Sequence, residues 1–290
     1  MKVKNNFKNY RFEFFLIVPL VVYIIGFTFT PVLYTIFLSF KHPFNNYFSL
    51  DNYSRILTHF QFRRAVINTL AVTTISLSLE LSVGLFLAVL LTRRFIGRGF
   101  LRTIAVLPLG VPTIVAAANM RYIFDSQGYI NEFLSRTHII AHPVDWTGGG
   151  ILSILTLSVA DMWKVTPLVM LILIGGLQSI PSELFEAAKV DGASFWQTFR
   201  YITLPLLKPF ITIALIVRGI DAFRLFELPL TLMGNSTQVM STYTYFEYFQ
   251  YNNPYTASAS AVILLIVILV SVGVYFKVSG EHKNLTVYNV

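Results

Sequence analysis

Six apolar runs dominate this chain of 290 residues, and each is long enough to cross a bilayer as a helix. A hydrocarbon core of about 30 Å takes roughly 20 helical residues at a rise of about 1.5 Å each. The runs lie near Phe14–Phe40, Ile67–Leu91, Thr103–Phe124, Ile151–Leu177, Phe210–Met233 and Ala257–Phe276. Charged residues make up 12% of the chain, about half the usual share of a soluble domain. An all-α, polytopic membrane protein with six transmembrane helices is the expectation. The first run is too long for the apolar core of a cleaved signal peptide. Pro19, Gly26 and Pro31 within it read as kinks or points of close packing.

The formal charge of +8 follows the membrane rather than a nucleic acid. An even number of spans puts both termini on one side. That side carries Lys2, Lys4, Lys8, Arg11, Arg93, Arg94, Arg98, Arg102, Lys189, Arg200, Lys208, Lys277 and Lys283. The other side carries only Lys41, Arg55, Arg63, Arg64 and Arg136. Basic residues accumulate on cytoplasmic loops, which assigns both termini and the loop after the fourth run to the cytoplasm. Residues 1–13 form a short basic tail on that side. With no cysteine in the chain, there is no disulfide framework, metal thiolate or thiol nucleophile.

The loop Ser182–Pro209 reads as two short helices. Pro181 and Ser182 open the first, with Ser182 as N-cap and Glu183 and Glu186 in the first turn, where the helix dipole favours acids. Ala187 and Ala188 give it a low-relief face. Asp191 and Gly192 stop it, because glycine tolerates the left-handed conformation of a C-terminal cap. Ser194 and Gln197 form a capping box that opens a second helix through Phe195, Trp196 and Phe199. Leu204-Pro205 and Pro209 end that helix before the next apolar run.

This elbow closely resembles the Glu-Ala-Ala (EAA) loop of binding-protein-dependent ABC importer permeases. The family pattern is Glu-Ala-Ala, three residues, Gly, then about nine residues to Ile-x-Leu-Pro. It stands here as Glu186-Ala187-Ala188, Gly192 and Ile202-Thr203-Leu204-Pro205, with Asp191 and Ala193 also as the family prefers. Leu38-Ser39-Phe40, Leu50-Asp51-Asn52-Tyr53 and the trio Gly128, Ile130 and Asn131 are similar to the first-type permease of sugar importers of the maltose, trehalose and glycerol-phosphate kind.

The resemblance implies a six-helix transmembrane domain over residues 14–290, with 182–209 as its cytoplasmic coupling loop, in the cell membrane of a prokaryote. It implies a second, related permease subunit, two ATP-binding cassette ATPase subunits and an extracytoplasmic substrate-binding protein as partners, besides membrane lipids. Glu186, Ala187, Ala188, Asp191, Gly192, Ala193, Leu204 and Pro205 would then couple to the ATPase. The chain has no Gly-x-x-x-x-Gly-Lys-Ser/Thr loop to hold phosphates. It is therefore expected to be no enzyme and to bind no cofactor, with ATP and Mg on the partner subunits.

Ionisable residues inside the runs are costly and face either a protein interior or a water-filled cavity. The second run carries Glu80, and the fourth carries Asp161 and Lys164 on either side of Trp163. The fifth carries Arg218, Asp221, Arg224 and Glu227 at three-residue intervals, which reads as a ladder of alternating signs along one helix side. Two readings stand. The charges pair to hold spans together, or Asp161, Trp163, Lys164, Asp221, Arg224 and Glu227 line a polar substrate pathway. By the family resemblance, Asp161 and, more clearly, Asp221 and Arg224 fall at substrate-contacting positions. A sugar is preferred over a charged solute. A polytopic membrane enzyme or an ion-coupled transporter would use the same charges differently. His138 and His142, four residues apart with Asp145 near, have metal-ligand spacing, although Pro143 breaks any local helix. Tyr243, Tyr245, Phe246, Tyr248, Phe249, Tyr251 and Tyr255 read as an interfacial aromatic belt or a docking surface for the binding protein.

Overall fold

The computed structural model describes residues 11–43, 45 and 47–279. Lys2, Lys4, Lys8 and Lys283, and the tail over residues 1–10, lie outside the described residues. Among the described residues five helices are long and apolar enough to cross a membrane: Glu13–Ser39, Phe60–Thr92, Gly150–Gln178, Phe195–Phe223 and Pro254–Lys277. These are spans 1, 2, 4, 5 and 6. Where the third span is expected, Arg98–Gly110 and Thr113–Ile123 form a bent pair whose halves meet at 100°; counted as one it makes a sixth span, and it is called span 3 below.

The chain forms two compact units. The first takes Met1–His59 and Thr244–Ile263. In it, the end of span 1 is hooked to the helix Asp51–Thr58. The Asn52 side-chain amide donates to the carbonyls of Ser39 and Lys41, both at 2.9 Å, and the Ser39 and Tyr53 hydroxyls lie 2.6 Å apart. The two segments singled out in the sequence, Leu38-Ser39-Phe40 and Leu50-Asp51-Asn52-Tyr53, are thus halves of one staple. In the same unit, the Thr256 hydroxyl donates to Glu247 at 2.6 Å.

The second unit takes Phe60–Tyr243 and Leu264–Val290. Span 2 buries Ala65, Thr69, Thr73, Ser76, Glu80, Gly84 and Ala88, a stripe of small and polar residues at helical spacing. Its large apolar side chains, such as Ile67, Leu70, Phe86 and Leu90, point outward. Lipid is as apolar as leucine, so spans associate by close packing and polar contacts rather than by burying bulk. Gly84 marks a close approach: a Cβ there would meet Cγ1 of Val169 on span 4 at 3.0 Å. One apolar core gathers Val72, Ala117, Met120, Leu157 and Ala160 with Leu228 and Leu232. A second gathers Ala88, Leu91, Val169, Leu173, Leu177, Leu207 and Ala214.

The break in span 3 falls at Val111 and Pro112 and leaves helix-end carbonyls without intrahelical partners. Buried Lys164 of span 4 satisfies them, its Nζ donating to the carbonyls of Pro108 at 3.1 Å and Leu109 at 3.2 Å. A cation at a helix C-terminus also suits the helix dipole.

Span 5 departs from its expected bounds at both ends. Leu204-Pro205 and Pro209 do not end the second elbow helix; it runs on through a wide turn, Phe199–Thr203, into the span. Pro205 sits at the start of the α-helical part, where a missing N–H is tolerated. At the far end the helix stops at Phe223, and a separate helix, Glu227–Met233, follows. The ladder of charges expected on one helix is therefore cut between Arg224 and Glu227.

On the loop after span 3, the buried Asn131 acts as a tie. Its amide donates to the carbonyls of Asp125, Ser126 and Val144, and its oxygen accepts from the Val144 N–H and the Trp146 indole. Thr137 caps the helix Tyr129–Arg136 and His138 follows it with φ 58°, so His138 shares no helix face with His142. Among the described residues no group of three ligating side chains could hold a metal.

Candidate functional site

The first elbow helix, Ser182–Val190, opens on Pro181, so Ser182 is its first residue rather than its N-cap, and Glu183 alone is the acid of the first turn. Asp191 caps its C-terminus and Gly192 follows with φ 72°. The closing bonds run from the Gly192 N–H to the Lys189 carbonyl at 3.1 Å and from the Ala193 N–H to the Ala188 carbonyl at 2.9 Å. This is the Schellman arrangement that a glycine in the left-handed region allows. The capping box is present: the Ser194 N–H donates to the Gln197 side chain at 2.7 Å, and the Gln197 N–H to the Ser194 hydroxyl at 3.4 Å.

The two alanines do not share a face. Ala188 is buried, and Phe185 packs against the core formed by spans 2, 4 and 5. Glu186, Ala187, Val190, Asp191 and Gly192 are exposed, Ala193 is half-buried, and Leu204 and Pro205 are exposed further on. One face therefore anchors the elbow to the spans and the opposite face is presented outward. A second anchor is the Arg93 guanidinium at the end of span 2, 4.8 Å from the ring centre of Phe195.

Between the two apolar cores lies a cluster of charges centred on Arg218. Its Nε is 2.8 Å from Glu80 Oε2, and its Nη2 donates to Glu80 Oε1 at 3.0 Å and to Asp161. Its Nη1 donates to Asp221 at 2.9 Å. The Arg218, Glu80 and Asp161 side chains are at most 1% exposed, whereas that of Asp221 is 58% exposed. Arg224 lies 3.7 Å from the other Asp221 oxygen and is likewise exposed. The planar guanidinium directs its fork at carboxylates from spans 2, 4 and 5 at once, a geometry that a lysine ammonium does not supply. The cluster bolts three spans together and surfaces only at Asp221 and Arg224.

Of the six pathway residues expected from sequence, Asp161, Asp221 and Arg224 belong to this cluster. Lys164 does not; it is spent on the span 3 carbonyls. Trp163 is exposed on another face of span 4, and Glu227 starts the helix beyond the break. Glu80 and Arg218, the fully buried partners of Asp161, were absent from that set. Their signal was their cost: a buried arginine in a span requires a carboxylate.

Comparison with known proteins places this geometry. Residues 80–278 match the family model described as "Binding-protein-dependent transport system inner membrane component". The chain is 35% identical over 290 residues to the trehalose/maltose transport system permease protein MalF of Thermococcus litoralis, covering 97% of this chain and 98% of that one. It is 32% identical over 281 residues to the trehalose transport system permease protein SugA of Mycobacterium tuberculosis, covering 93% and 89%. In fold it is similar to a chain of a bacterial alginate ABC transporter crystallised with an alginate pentasaccharide-bound periplasmic protein. The TM-score is 0.84 over 100% of both chains, at 22% identity.

Proposed function

The chain belongs to the family of binding-protein-dependent transport system inner membrane components, and on that premise we propose that it forms half of the translocation pathway of an ABC importer for a di- or oligosaccharide or a similar polyol. As a multi-pass permease it works through its shape. The elbow carries the reading: a capped helix anchored by Phe185 and Ala188, with Glu186, Ala187, Asp191 and Gly192 free to enter a partner.

Two ATP-binding cassette ATPase subunits hold ATP and Mg and grip the two elbows, one on this chain and one on a second, related permease. An extracytoplasmic binding protein delivers the solute on the opposite side. Both termini and the elbow face the cytoplasm. Closure of the ATPases pushes the elbow, and its continuity with span 5 passes the motion into the membrane as a rigid-body rotation. Asp221 and Arg224, the exposed members of the cluster, offer acceptors and donors of opposite charge side by side. A neutral polyol, which presents hydroxyls able to give and to accept, suits such a pair better than a purely anionic solute does.

The names of the relatives, trehalose and maltose permeases, support the saccharide. The test is uptake by the complete transporter in proteoliposomes with its binding protein. ATP-dependent accumulation of trehalose or maltose is expected. Accumulation of only an anionic solute, lost on Arg224→Gln, would overturn the sugar and leave the permease assignment intact.

A further inference from the structure

Where span 2 ends, a groove of about 470 Å³ opens between it and the second elbow helix. Its walls are apolar: Phe86, Val89 and Leu90 on span 2, and Phe195, Trp196 and Phe199 on the elbow. Ser82 lies at one end and Arg93 at the other. From Ser82 to Arg93 the helix rises about 16 Å, close to half of a hydrocarbon core of about 30 Å. The groove thus runs the depth of one leaflet and finishes in a cation at headgroup level. Phe86 is 66% and Trp196 73% exposed. Arg93 and the neighbouring Arg94 are exposed, and neither forms an ion pair with a carboxylate among the described residues.

We propose that this groove holds an anionic phospholipid, with one acyl chain between span 2 and the aromatic elbow residues and its phosphate at Arg93. The order of polarity along the groove is that of such a lipid: apolar for a leaflet's depth, then positive. A helix from a partner protein, about 10 Å across with its side chains, would answer Arg93 only by carrying a carboxylate at headgroup level. It would lie across the mouth of the groove rather than in it. Because Arg93 also stacks on Phe195, the lipid sits at the joint between span 2 and the elbow. Its headgroup adds a hydrogen-bond partner to a guanidinium whose face is already occupied by a ring.

The assembled transporter, purified in mild detergent, tests this by native mass spectrometry and thermal melting. Phosphatidylglycerol, phosphatidylcholine and inorganic phosphate are added separately. Phosphatidylglycerol is expected to remain bound and to raise the melting temperature, with phosphatidylcholine weaker and inorganic phosphate without effect. Arg93→Gln should weaken phosphatidylglycerol about fivefold, the scale of one basic residue at an anionic surface, and Arg93→Lys should recover part of the loss. Val89→Trp, which fills the groove without touching the charge, should also reduce retention. Equal retention of phosphatidylcholine, a shift from inorganic phosphate alone, or undiminished phosphatidylglycerol on Arg93→Gln would overturn the proposal. So would a crosslink showing a partner helix seated on Phe86. If Arg93→Gln fails to assemble, the comparison of lipids on the unaltered complex decides.

Discussion

Arg218 joins three carboxylates drawn from three spans, and its removal strands two of them in the protein interior. Arg218→Met should therefore destabilise the assembled transporter by about 3–5 kcal/mol, read as a fall in melting temperature or loss of assembly. Adding Glu80→Gln and Asp161→Asn to it should restore most of that loss, since no unpaired charge then remains; strict additivity would show that the residues are uncoupled. Arg224 behaves differently. It is exposed and 3.7 Å from Asp221, so Arg224→Gln should cost under about 1 kcal/mol of stability while still altering uptake. Lys164→Met should orphan two carbonyls and cost about 1–3 kcal/mol, with no change in solute preference. At this scale the sequence exposed which residues were expensive but not how they paired. Glu80 and Arg218 are 138 residues apart, and no local pattern links them. Lys164 was read among the charges that pair or line a pathway, and only the break in span 3 gives it the two carbonyls it binds.

The elbow was legible because capping chemistry is local: Gly192, Ser194 and Gln197 each act on backbone within five residues. Gly192→Pro cannot adopt the φ of 72° and Ala187→Arg obstructs the exposed face; both should abolish uptake while the chain still inserts. Ala188→Arg should do more, disrupting the anchor itself, because Ala188 is buried. Pull-down of the ATPase and uptake separate these outcomes, and normal ATPase recruitment with full uptake in the first two variants would remove the coupling role. Helix ends inside apolar sequence were harder to see. Prolines at 205 and 209 looked like stops, but the turn Phe199–Thr203, closed by the Leu204 N–H to the Phe199 carbonyl, carries the helix past them. At the other end a signal was present. Pro229 occupies the first turn of the helix that starts at Glu227, the one helical site where a proline costs little, and so marked a new start.

For the molecule as a whole, run length and composition revealed the spans, while the 100° bend in span 3 left no mark on hydropathy and was signalled only by Pro108 and Pro112. The orientation rests on basic-residue asymmetry and is open to direct measurement. The chain has no cysteine, so single cysteines at Ser194 and Ser126, both exposed, should label with impermeant reagents from opposite sides of the membrane. Labelling of both from one side would refute the assigned topology. The continuity of Phe195–Phe223 has a mechanical consequence. Its 29 residues make a beam of about 44 Å, longer than the hydrocarbon core of about 30 Å it crosses. Pivoting near its middle, such a beam reverses direction between its ends: a tilt of about 10° carries each tip about 4 Å in opposite senses. Spans 2 and 4 are fastened to it at Arg218, so they must swing with it. A nudge at Phe195, at one end of the helix, then arrives at Asp221, near its other end, as a displacement of contrary sign.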